Sequence, residues 1–250
     1  MNEKKIKDKC LKLRQDTFKS FIELGEAHLG GSFSLIEIIV VLFESILSNK
    51  DKFILSKSHA SIPFLLLLRS YGLKPKLTTH LEIDPKNGIF CTTGSLGHGF
   101  PIVTGMALSR KLQKKNGKFY VLISDGECQE GTTWESMLIA SKHNLNNLFL
   151  IIDYNKIQAL SHLNDALPLE NLQRKILAFN WNCVNITNGH NVNSIYKNLK
   201  YKFKNNRPTA FIVNTTKGKG IKQFENDPVW HAKKVKGDDI LIGNKALKIL

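Results

Sequence analysis

Cysteine is scarce in this chain of 250 residues. The four, Cys10, Cys91, Cys128 and Cys183, lie far apart and show no CxxC spacing. That argues against a disulfide framework and a cysteine zinc site. Proline is also rare, at 7 residues, while 42% of the chain is hydrophobic, so a disordered or collagen-like chain is excluded. Long apolar runs are missing. The stretch from Ile54 to Leu68 is interrupted by Lys57, Ser58 and His59, and nothing reaches the roughly 20 apolar residues of a membrane helix. The opening MNEKKIKDKC lacks the apolar centre of a secretory signal. A cytoplasmic location and no membrane partner are expected. Arginine is the last shortage. Lys and Arg number 36 against 21 Asp and Glu, for a net charge of +15, yet Arg occurs only at Arg14, Arg69, Arg110, Arg174 and Arg207. Arg is the preferred phosphate fork. The lysines are dispersed among asparagines, and no aromatic and basic platform stands out, so no nucleic-acid partner is expected.

The length suits one α/β domain, and no repeat or linker divides it. Ile6, Cys10, Leu13, Phe18, Phe21 and Ile22 fall on one helical face, predicting an amphipathic helix over 3–24. Gly25 and the pair Gly30-Gly31 are expected to break it. Ser34 with Glu37 three residues on reads as a capping box, opening an apolar helix to about Leu47. Apolar runs at 52–56, 118–124, 148–153, 181–186 and 210–214 read as strands. Helices are predicted at 60–71, 97–115, 133–144 and 191–204. Strands without polar alternation, separated by helices, predict a parallel sheet with helices on both faces. Ligands of such sheets bind at the carboxyl ends of the strands.

Two of those ends carry chemistry. The run 118–124 leads into Ser124-Asp125-Gly126-Glu127, and 148–153 leads into Asp153-Tyr154-Asn155. An Asp carboxylate, an Asn amide oxygen and a neighbouring carbonyl are hard oxygen donors suited to Mg²⁺ or Ca²⁺. Gly126 lets backbone approach an anion. Taken alone, Asp-Gly is usually only a turn. Here Asn155 follows Asp125 by thirty residues, with one helix between.

That arrangement, SDGECQEGTTWE followed by IIDYNKIQ, resembles the thiamine diphosphate motif, and more narrowly the transketolase family. AHLGGSFS at 27–34, LSKSHAS at 55–61, FCTTGSLGHG at 90–99 and VWHAKK at 229–234 resemble further segments of that family, in family order. The resemblance spans nearly the whole chain and is strongest to the N-terminal subunit of two-chain transketolases. It implies a thiamine diphosphate-binding fold, as a single diphosphate domain over 1–250. Asp125, Asn155 and the carbonyl of Ile157 would hold the metal, and Gly126 would contact the diphosphate. His59, His231, Gly94, Ser95 and Leu96 would contact the rest of thiamine diphosphate. His28, His80 and His231 would act on the sugar, although Leu81 stands where the family usually has Pro. Imidazole suits proton movement on sugar hydroxyls near neutral pH. Glu130 and Glu135 match family acids near the contact between paired cofactor sites. His98 replaces a usual Gln and is expected to place a titratable group beside the cofactor ring. His143, His162 and His190 are expected to be surface or satisfied core residues.

The family's pyrimidine domain, with the Glu that activates the cofactor, is not represented here. A separately encoded pyrimidine-domain subunit is therefore expected, in an α₂β₂ assembly, with the helix at 35–47 and the segment 130–140 lining the interface. The implied reaction moves a two-carbon ketol unit from a ketose, or its phosphate, to an aldose. The alternative within the chemistry is one chain of a 1-deoxyxylulose-5-phosphate synthase-like or 2-oxo acid dehydrogenase-like enzyme. A non-catalytic binding protein that kept the fold is the alternative outside it.

Overall fold

The computed structural model describes residues 1–159 and 161–249. Five parallel strands form one sheet: β1 (Lys52–Leu55), β2 (Phe119–Ser124), β3 (Leu148–Tyr154), β4 (Asn182–Ile186) and β5 (Thr209–Asn214), in the order β1-β2-β3-β5-β4. The helices are α1 (Glu3–Leu24), α2 (Leu29–Ser34), α3 (Ile36–Val41), α4 (Ser61–Ser70), α5 (Gly99–Leu112), α6 (Gly131–Lys142), α7 (Leu163–Ala166), α8 (Leu172–Ala178), α9 (Val192–Lys200) and α10 (Asp238–Leu247). The α/β class with a parallel sheet is as expected.

Alternation along each strand sorts the core into two layers, because successive side chains point to opposite faces. Tyr120, Leu122, Ile151, Phe211 and Val213 pack under α1, α3, α4, α9 and α10. Val121, Ile123, Leu150, Ile152 and Ile212 pack under α5, α6 and α8. Burial of each such side chain contributes roughly 1.5–3 kcal/mol, so both faces must stay covered.

Local chemistry sets the helix ends. Asn2 caps α1 by accepting the Lys5 N–H, and Gly25 ends it in the left-handed region. Four expectations are corrected. Gly30 and Gly31 lie inside α2 rather than breaking a helix. The Ser34–Glu37 capping box does not form. The Ser34 hydroxyl sits 2.6 Å from Asp153 Oδ2, while Glu37 is drawn to Arg14 Nη2 at 2.8 Å. All of α3 is buried, between α1, α4 and α9, so it cannot line an interface with another chain. Finally, α9 stops at Lys200, and 201–208 leave the helix. The short α7 and the helices α8 and α10 were not predicted. Among the described residues no helix is long and apolar enough to cross a membrane, and all four cysteines are free.

Candidate active site

The register pairs Ser124 with Asp153 across β2 and β3, so Asp125 and Asn155 leave the sheet at the same carboxyl edge. They face a cavity of about 360 Å³. His28, His59, His80, Gly94, Leu96, Gly126, Ile157 and His231 line it as well. Of the residues singled out from the sequence for a site role there, only Ser95 is left off the lining; it is exposed. His98 is also outside. It is exposed, with Nδ1 3.1 Å from the Leu96 carbonyl, so it does not stand beside the cavity as expected. His143 and His162 are exposed, whereas His190 is nearly buried and fully partnered.

The oxygen donors sit on backbone made for them. Lys156 adopts a left-handed φ of 65°, and its N–H donates to Asp125 Oδ2 at 2.6 Å. The Ile157 N–H donates to Asn155 Oδ1 at 3.1 Å. Burial, then the neighbouring Asp153, push the Asp125 carboxyl up to about 7. A cation is what such a carboxyl calls for, and the donor set of carboxylate, amide oxygen and carbonyl fits a hard divalent ion. In front of Gly126 the space is open: a Cβ there would meet only Ser124 Oγ, at 3.7 Å. The residues present therefore fit a metal-bound diphosphate.

Three imidazoles form the other wall. The ring centroids of His28, His59 and His231 are 5.0–5.6 Å apart. Burial, with nearby cationic groups, holds all three below the ordinary histidine range, His231 down to about 3. They are neutral at neutral pH. His28 has a left-handed φ of 75°, a strained conformation for a residue with a Cβ. Its Nδ1 is buried without a hydrogen-bond partner among the described residues. That atom is poised for a ligand's polar group.

Beneath the cavity lies a layer of charge that sequence reading missed. Asp153 Oδ2 takes hydrogen bonds from Lys57 Nζ and the Ser34 hydroxyl, and Oδ1 takes one from Thr215. One carboxylate thus ties together the ends of β1, β3 and β5 and helix α2. Lys217 Nζ, lowered to about 8 by burial and by Lys57, donates to the Gln158 carbonyl at 2.7 Å and lies 3.3 Å from His231 Nδ1. Glu127 is buried and accepts from Ser56, Ser124 N–H and Gly97 N–H. It thereby fixes the 94–97 loop, where Gly97 has φ 78° and a Cβ would strike Glu130 and Thr132 at 2.7 Å. The available signal was position: Lys57 and Lys217 both lie just beyond the carboxyl end of a strand.

Parallel sheet, carboxyl-edge cleft, oxygen donors and open glycine together define a diphosphate-binding α/β domain. Residues 12–248 match the family model described as transketolase, thiamine diphosphate binding domain. One of the two subunits of an apulose-4-phosphate transketolase from Actinobacillus succinogenes is 34% identical over 242 residues, covering 88% of this chain and 87% of that protein. A 6-deoxy-6-sulfo-D-fructose transketolase subunit from a Clostridium species is 31% identical, covering 89% of each. The crystal structure of Campylobacter jejuni transketolase superposes with a TM-score of 0.85 at 25% identity, over 99% of this chain but 43% of that longer one. The chain belongs to the transketolase family, as a thiamine diphosphate-binding subunit serving ketol transfer.

Proposed function

We propose that this chain is the diphosphate- and metal-binding half of a two-chain transketolase, completed by a partner that carries the pyrimidine domain. The observation that carries this reading is one cavity holding both the Asp125–Asn155–Ile157 oxygen donors and the neutral cluster of His28, His59 and His231. The family match and the relatives described as transketolase subunits support it. They also favour transketolase over other thiamine diphosphate enzymes.

In this reading Asp125, Asn155 and the Ile157 carbonyl hold Mg²⁺ or Ca²⁺, and Gly126 leaves room for the diphosphate. Leu96 and Gly94 border the cofactor's ring, with Ser95 beside them, and His59 and His231 close over it. Bound there, thiamine diphosphate supplies the electron sink for carbon–carbon cleavage. The protein's task is then to orient the sugar and move its hydroxyl protons. A neutral imidazole can accept such a proton. The unpartnered His28 Nδ1 is the first candidate, with His231 and the exposed His80 further along the wall. The absence of Arg from this lining suits the polyol end of a ketose, its phosphate being gripped elsewhere.

The partner is expected against α5 and α6, which leave the cavity rim at Leu96 and Glu130 with Ile102, Leu138 and Ile139 exposed at 47%, 58% and 48%. Glu130 and Glu135 lie on the same side, toward a second cofactor site in an α₂β₂ assembly. Obligate interfaces of this kind bury over about 2,000 Å². The test is a coupled ketol-transfer assay on the chain alone and then with its partner. Turnover is expected only in the mixture. Robust turnover by the isolated chain, near the rate of the mixture, overturns the split-enzyme reading.

A further inference from the structure

At the opposite end of the sheet, the amino ends of β2 to β5 open on a second cavity of about 470 Å³. Its floor is Tyr120 stacked on Phe149, with centroids 4.8 Å apart at 17°. Its outer wall is the edge-to-face pair Tyr201 and Phe203, at 5.0 Å. The cations around it are Lys118, Lys200, Lys202 and Arg207, and no carboxylate is in the lining.

Three features separate this cavity from an ordinary basic surface. First, the cations are uncommitted. Among the described residues the side chains of Lys118, Lys202 and Arg207 make no ion pair and no hydrogen bond; Lys118 Nζ merely lies over the Phe149 ring at 5.1 Å. The nearby Asp51 is already taken, by the N–H groups of Ser48 and Lys118. Second, Tyr120 is only 2% exposed, yet its hydroxyl has no partner among the described residues. A buried polar group in that state is rare and calls for a ligand. Third, the wall is fastened in place. Asn182 and Asn205 exchange reciprocal amide hydrogen bonds of 2.8 and 2.9 Å, pinning the 201–208 segment to β4. That segment alternates aromatic and basic residues, Tyr201-Lys202-Phe203-Lys204. Read as helix it offers no platform; released from α9 it provides one.

Four like charges around one cavity focus the field on whatever anion enters. Arg207 offers a fork for phosphate oxygens, and aromatic faces stack on planar rings whatever their sequence of atoms. The volume lies in the range of small-ligand sites. We propose that this cavity binds a nucleoside diphosphate, its phosphates among Lys118, Lys202 and Arg207 and its base against Tyr201 and Phe203.

The test is calorimetric titration of ADP into the full chain, with pyrophosphate and adenosine as partial probes. Saturating thiamine diphosphate and Mg²⁺ are present to occupy the carboxyl-edge cavity. Saturable one-to-one binding is expected, at least tenfold weaker for Lys202→Ala/Arg207→Ala and a few-fold weaker for Tyr120→Phe. Both altered cations are exposed, so the double variant should keep the wild-type melting temperature. Pyrophosphate and adenosine should each bind at least tenfold less tightly than ADP. No saturable ADP binding, or binding indifferent to the double variant, overturns the site. Pyrophosphate binding as tight as that of ADP overturns the nucleoside assignment.

Discussion

The two ends of the same five strands are built in opposite ways. At the carboxyl edge every buried charge has a partner from another element. Asp153 holds Lys57, Ser34 and Thr215, and Glu37 holds Arg14 and His190. At the amino edge Lys118, Lys202 and Arg207 surround an aromatic floor with no carboxylate in the lining. Paired buried charge makes a rigid edge whose removal is costly. Solvated, unpaired charge leaves the fold indifferent and the site free for a ligand. The difference shows that one sheet can hold a preorganised reaction site at one end and an adaptable anion site at the other.

Four changes probe that contrast. The largest effect is expected from Asp153→Asn. It leaves the Lys57 ammonium buried beside a neutral amide, and breaking such a pair costs roughly 3–5 kcal/mol. Urea unfolding at pH 7 measures it; a loss under about 1 kcal/mol would place the rigidity elsewhere.

Glu37 comes next. Burial opposes its ionisation, but Arg14 and His190 outweigh burial and hold the carboxyl down to about 2, against an ordinary value of 4.5. Because the folded value is the lower one, its stabilisation is complete above about pH 4.5 and fades as pH falls toward 2. The shift corresponds to something on the order of 3 kcal/mol. Glu37→Gln should remove that part of the pH dependence as well as stability, in unfolding curves recorded between pH 7 and pH 3. An unchanged acid slope would contradict the pairing.

The third change is His28→Ala, in the assembled enzyme. Turnover should drop at least tenfold, within the span of about 10²–10⁴ typical of a lost acid–base group, with thiamine diphosphate affinity nearly unchanged. Weakened cofactor binding with intact sugar kinetics would reverse the division of roles. The smallest effect is expected at the amino edge, where Arg207→Ala should shift stability by no more than about 0.5 kcal/mol. A larger loss would mean that Arg207 is structural.

What could be read from the sequence follows the same divide. Asp125, Asn155 and Gly126 were visible because strand ends and their spacing are local features, and β2 and β3 do turn out to be neighbours. The histidines were visible through segments resembling the transketolase family. The charge layer was not. Lys57 meets Asp153 across 96 residues of chain, and His190 meets Glu37 across 153, distances that no periodicity reports. Tertiary pairing also overrode the local capping signal at Ser34 and Glu37, since a buried carboxylate gains more from Arg14 than from a backbone N–H. The apolar α3 looked like an interface helix because apolar composition does not distinguish a chain's own core from a partner's. Helices α8 and α10 are short, and each carries few buried residues, so their patterns are weak.

The central claim is that the carboxyl edge holds the metal-bound diphosphate. It is tested most directly by titrating thiamine diphosphate with Mg²⁺ into wild-type and Asp125→Ala protein in the presence of the partner chain. Removing a charged metal ligand should weaken cofactor binding at least tenfold, since even the outer partners of metal ligands are typically worth about 10–100-fold. Wild-type affinity in Asp125→Ala would contradict the account.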